Sequence, residues 1–389
     1  MKQLIAILLI AGALLAFAGC HEEVPNETIS SDEYTDNYIY TFIDSVFSRV
    51  NVLTGSVTNV CPDPICSHTE EGCPFYGFTS SSPFIVEGKY FYYAAGRNSW
   101  GDATMLCRYN LESQKSDVLY DSEKDGGYIL RLFKTEDMLY FTVHNVGSQN
   151  SDESAQSEGI YDVYRCDLNG KKRVRLTDKP LLSMPDAYAY DGDKIYWKDD
   201  IGYFTTDINF KSIVYGERGY STLFENQKYG YYLEGAGTVE NSGITSMVVN
   251  LIGYDYENKT SFMALEKVPL VPLPYNNKIL YTMAQDNPRL IGYHVDELDG
   301  TRKPQYDVRG GKIYICDNDG KNTRLLCDFS KTGFYLNEAN VPNGKRGVGD
   351  WVAFLGKTAA VDENNNITET KSGVLLVNIS TGEYKLAEY

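Results

Sequence analysis

Three cysteines and a histidine fall within thirteen residues in the segment Cys61-Pro-Asp-Pro-Ile-Cys66-Ser-His68-Thr-Glu-Glu-Gly-Cys73. Thiolates and an imidazole are the donors of a structural Cys₃His zinc site. The spacing C-x4-C-x-H-x4-C departs from the usual knuckles, because Cys66 and His68, one residue apart, are awkward to close around a tetrahedral ion. In an exported chain a second chemistry is as natural: two of the three cysteines oxidised to a disulfide, with His68 a bystander. A free or catalytic thiol is the third. Cys61, Cys66, His68 and Cys73 therefore form one candidate site, metal or disulfide, and zinc is the one cofactor the sequence suggests.

Beyond position 21 the remaining imidazoles are His68, His144 and His294. Converging on one point they could hold a divalent metal for sugar-acid lyase chemistry, whereas isolated loop histidines are merely solvated. Trp100, in Gly96-Arg-Asn-Ser-Trp100-Gly-Asp, and Tyr293, next to His294, are aromatic rings flanked by polar groups. Such rings build carbohydrate or peptide platforms, or else pin their own loops. Neither a Gly-x-Ser-x-Gly elbow, nor a phosphate-cradling glycine loop, nor a sialidase-type aspartate box is present. No catalytic residue is assigned.

The elements that must position these residues repeat. Seven times a short apolar strand runs into Asp or Asn and a turn, at Asn51, Asn110, Asp167, Asp207, Asp255, Asp317 and Asn378, a mean period near 54 residues. Upstream of each lies an aromatic strand, for example Gly88-Lys-Tyr-Phe-Tyr92-Tyr and Asp193-Lys-Ile-Tyr196-Trp. Runs of aromatic and β-branched residues bounded by Gly, Asp and Asn are strand signals, and a period of this size marks a propeller or array. The expected fold is all-β: a seven-bladed β-propeller of four-stranded blades, over residues 37–389. The first copy lacks a convincing inner strand before Tyr38, which leaves six blades plus an extra sheet as the alternative. The Asp/Asn row resembles a series of cation sites, yet these side chains accept backbone hydrogen bonds two residues on, so turns are the expectation.

Departures from the period locate the working surface. The spacing from aromatic strand to Asp/Asn is 11 residues in the first and fourth copies but 36 from Tyr281 to Asp317. Insertions thus collect between the second and third strands of a blade. The Cys-His segment lies in a connection between blades, and in a propeller both kinds of loop emerge on one face. Binding residues favour such loops on a rigid scaffold.

At the N-terminus, Lys2 precedes an apolar run from Leu4 to Ala18, too short to span a bilayer and suited to a removed signal segment. The junction Phe17-Ala18-Gly19-Cys20 resembles a bacterial lipobox, which implies cleavage after residue 19 and lipidation of Cys20. Residues 20–36 read as a flexible acidic tether. With 36 Lys and Arg against 53 Asp and Glu, the net charge is −17, which disfavours nucleic acid and anionic headgroups as partners.

The unit Val163-Tyr-Arg-Cys-Asp-Leu-Asn-Gly, with Val174-Arg-Leu-Thr177 following, resembles repeats of the TolB-like propellers. Together with the lipobox, the Cys-x-Asp-Pro-x-Cys-x-His element is similar to that of bacterial surface lipoproteins carrying a domain of unknown function. That resemblance implies a propeller anchored in the bacterial envelope and leaves activity open. We expect a monomeric, lipid-anchored propeller that binds an extracellular carbohydrate, peptide or protein. A polysaccharide lyase or glycoside hydrolase on the same scaffold is the alternative.

Overall fold

The computed structural model describes residues 36–389 except 64–65, 67, 70–71, 97–101, 123–126, 146–159, 191, 216–223, 226–228, 242–243, 256, 270–271, 297, 299, 337–346 and 389. Seven antiparallel sheets follow one another along the chain as the blades of a β-propeller, and every named element is a strand. Blade 1 has three strands, Tyr38–Ile43, Val46–Asn51 and Val57–Asn59. Blade 2, with Phe84–Glu87, Tyr90–Ala95, Met105–Asn110 and Lys115–Asp121, sets the four-stranded pattern that blades 3 to 6 keep. The expected alternative of six blades plus a sheet gives way to seven, the first with three strands among the described residues.

Strand alternation explains the packing. In Tyr90–Ala95 the side chains of Phe91, Tyr93 and Ala95 join Tyr40 and Phe47 of blade 1, while Tyr92 and Ala94 join Ile129 and Phe141 of blade 3. Successive side chains point to opposite faces of a sheet, so a strand sandwiched between two blades must be apolar throughout. Each fully buried aromatic of this kind contributes about 1.5–3 kcal/mol. The last blade meets the first in the same way: Val374, Leu376 and Ala387 pack against Ile39 and Val50. Lys385 also donates to the Leu53 carbonyl at 2.5 Å, and the Ser372 hydroxyl donates to Asp44.

The repeated Asp/Asn is a turn device, as its chemistry requires. Six of the seven side chains accept two backbone N–H groups each, as at Asn51 from Leu53 and Thr54 and at Asp207 from Asn209 and Lys211. The seventh, Asp317, instead takes Lys278 Nζ and Asn322 Nδ2. Gly320 and Gly382 hold φ of +80° and +77° in these turns, and a Cβ there would lie 2.0 and 2.3 Å from carbonyl oxygens of the preceding blade. The turns therefore press on their neighbours.

Contact across these junctions follows a rule that the sequence did not reveal. The carbonyl just after the Asp/Asn accepts from the preceding blade: Leu168 from Arg108, Ile208 from Arg165 and Tyr140, Asn318 from Tyr231, Ile379 from Arg324, and Val52 from Lys385. Five junctions share this latch, including the one that closes the ring.

The opposite face is irregular. In blade 5 the middle strands Tyr229–Asn241 and Ile244–Asp255 form one long hairpin, as do Trp351–Val361 and Ile367–Asn378 in blade 7. The long spacings expected to be loops are here strands continued beyond the blade. Blade 6 carries an inserted hairpin, Arg289–Val295 with Arg302–Asp307.

Candidate functional site

Prolines at 62, 64 and 74 lack the N–H groups that a further strand would need, and the described residues from Cys73 to Phe78 fold as consecutive turns. Tyr76 N–H donates to the Cys73 carbonyl, Phe78 to Phe75, and Gly77 to His68, at 3.0, 2.9 and 2.8 Å. This places Phe75 and Phe78 in the core between blades 1 and 2, where Phe75 meets Phe47, Phe91, Tyr93 and Tyr109. The Tyr93 hydroxyl donates to the Pro74 carbonyl, and Gly96 N–H donates to that of Tyr76 at 2.8 Å.

Above that plug the four candidate ligands come together. One donor atom from each of Cys61, Cys66, His68 and Cys73 lies within 4.8 Å of all the others, an arrangement able to hold a metal ion. Cys61 Sγ and Cys73 Sγ are 3.8 Å apart, and His68 Nδ1 is 3.3 Å from Cys73 Sγ. The awkward Cys66–His68 spacing is resolved by the backbone. His68 adopts φ of +59°, a left-handed conformation that few non-glycine residues take, and its N–H donates to Cys66 Sγ at 3.3 Å. Phe75 N–H donates to Cys73 Sγ at 3.3 Å, and Asp63 N–H donates to Cys61.

All seven cysteines of the described residues are free thiols in this structure. Burial pushes the thiols of Cys61 and Cys73 up and holds the His68 imidazole below the ordinary histidine range. His68 is 5 % exposed, and its Nε2 has no hydrogen-bond partner.

The other predicted positions scatter. Cys20 and Trp100 lie outside the described residues. His144 is the penultimate residue of Met138–Asn145 in blade 3, its ring 4.5 Å from that of Tyr128 and 5.2 Å from that of Tyr161. Burial lowers its pKa, and the Asp102 carboxylate opposes this. Tyr293 and His294 sit on the blade 6 hairpin. Tyr293 N–H donates to Asn365 O at 2.9 Å and its ring lies 4.2 Å under the Arg302 guanidinium, so it pins its hairpin to that of blade 7. His294 is exposed and bonds Gln305 Oε1 at 2.7 Å. Among the described residues neither His144 nor His294 joins a metal-ligating group, and the three imidazoles do not converge.

Cys107, Cys166 and Cys316 are small buried apolar groups, as their repeat positions imply. Cys327 stands opposite Ile313 and Cys316 opposite Ile279, so register keeps these two thiols apart. A mixed-charge cavity of about 640 Å³, lined by Lys278, Asp317, Arg324 and Asp350, opens between blades 6 and 7 beside the Asp317 and Asn378 turns. Sequence reasoning missed it, because it lies between repeats.

No family model matches the chain, and no curated protein matches it. Solved structures do. An oligogalacturonate lyase from Vibrio parahaemolyticus is 9 % identical with a TM-score of 0.43, covering 92 % of this chain and 86 % of its own. A prolyl endopeptidase is 10 % identical with a TM-score of 0.47, over 97 % of this chain and 53 % of its own. TolB from Acinetobacter baumannii is 11 % identical with a TM-score of 0.36, over 75 % and 63 %. Among the described residues no helix is long and apolar enough to cross a membrane.

Proposed function

We propose that this chain is an exported propeller of the bacterial cell envelope, lipidated at Cys20, which binds an extracellular ligand through its loop-bearing face. The observation that carries the reading is the contrast between the faces: long hairpins of blades 5 and 7, the inserted hairpin of blade 6 and the Cys-His loop all project on one side. Met247 in the blade 5 hairpin and Leu298 at the tip of the blade 6 hairpin are 81 % and 97 % exposed, apolar groups set where a partner would meet them.

Glycan and peptide arrays probed with the full chain in detergent test the reading. Binding is expected to fall with Met247→Asp or Leu298→Asp and to survive Leu53→Asp on the turn face. Loss through Leu53→Asp alone would move the site to the other side. For the anchor, Cys20→Ser is expected to release the protein from the membrane fraction, and retention there would refute lipidation.

A further inference from the structure

We propose that Cys61, Cys66, His68 and Cys73 bind one zinc ion in a closed tetrahedral site that clasps the first blade to the second. The inference goes beyond the ligand-binding reading and stands or falls separately from it.

Geometry comes first. Zinc–sulfur bonds of about 2.3 Å at tetrahedral angles set sulfur atoms about 3.8 Å apart, and a sulfur and an imidazole nitrogen about 3.6 Å apart. Here Cys61 and Cys73 lie 3.8 Å apart and His68 Nδ1 and Cys73 3.3 Å apart, and all four donor atoms fall within 4.8 Å of one another, a cluster that bond formation would draw slightly inward. A disulfide requires about 2.05 Å between sulfurs, would leave one thiol over and has no use for an imidazole.

Charge comes second. Each of the three sulfurs accepts a backbone N–H from the residue two positions on: Asp63 for Cys61, His68 for Cys66 and Phe75 for Cys73. Such donors orient thiolate ligands and offset the net negative charge that three thiolates leave on a divalent ion. Binding releases the three thiol protons as the bonds to zinc form. The donor set is soft and complete, which selects zinc among common divalent ions and makes the role structural. His68 is held in a left-handed backbone conformation with its ring buried, a strained arrangement that a metal bond would repay.

Position gives the consequence. Cys61 follows the outer strand of blade 1, and Cys73 precedes the Phe75–Phe78 turn that fills the core against blade 2. One ion therefore joins the end of the first blade to the plug that seals its junction with the second.

The test is elemental analysis of the full chain, purified in detergent under reducing conditions without added metal. About one zinc per chain is expected, with occupancy falling about tenfold or more in Cys66→Ser and unchanged in Cys107→Ser. Zinc absent from the folded protein, zinc indifferent to Cys66→Ser, or a disulfide-linked peptide joining any two of Cys61, Cys66 and Cys73 would overturn the proposal. If Cys66→Ser does not fold, cobalt exchanged into the unaltered chain decides: a tetrahedral cobalt–thiolate spectrum supports the site, and its absence refutes it.

Discussion

The two faces of this ring are built by different rules. On the turn face one short motif recurs: an Asp or Asn closes the turn, and the next carbonyl takes a hydrogen bond from the blade before. On the loop face no such short motif recurs among the described residues. Hairpins of different length, an insertion and the Cys-His loop each have their own anchor, such as Arg289, which donates to the carbonyls of Ser330, Thr332 and Phe334 and to the Asp307 carboxylate. Repetition lets many weak contacts hold a ring, whereas a unique loop needs a strong local one. The lesson is that stability is distributed on one face and concentrated on the other.

Substitutions can break that contrast, beginning with the loop face. Phe75→Ala removes a fully buried ring from the plug and is expected to cost about 3–5 kcal/mol, read as the shift in a denaturant midpoint. Arg289→Met leaves Asp307, 4 % exposed, without its cation; a buried pair broken on one side costs about 3–5 kcal/mol. Proteolysis within residues 289–307 should accelerate before the rest of the ring yields. On the turn face Asp207→Ala strips two N–H groups of their acceptor, for about 1 kcal/mol, and Arg165→Met removes a single latch for a similar or smaller amount. A turn-face substitution as costly as Phe75→Ala would contradict the distribution.

The smallest effect is a pH dependence. The His144 pKa is lowered by burial, so near pH 6.5 the unfolded chain binds the proton more readily than the folded one, and stability is lost as pH falls below that value. His144→Phe should flatten this acid-side loss slightly, because the group is only half-buried and solvent screens it.

Much of this was legible in the residues. Tyr92 and Phe91 read as a continuous apolar strand because both faces of an inner blade are buried, and the seven Asp/Asn positions set the ruler. What escaped the sequence is carried by the backbone. The latch at Ile208 accepts through a carbonyl, which every residue possesses, so no side chain marks it. The positive φ of His68 has no glycine to announce it, and the C-x-H spacing therefore looked unfavourable. Spacing also counts residues without saying whether they pair, which is why the stretches following Leu233 and Phe354 read as loop insertions although both strands of each blade pair on beyond the ring.

Hydrogen exchange of the full chain, with zinc and after chelation, tests the central claim most directly. Removing the ion should release amide protection in Tyr90–Ala95 and around Phe75–Phe78, while Lys312–Asp317 and Val374–Asn378, at a latched junction, stay protected. Unchanged exchange at residues 75–95, or an equal rise in every blade, would contradict a metal clasp confined to the junction of blades 1 and 2.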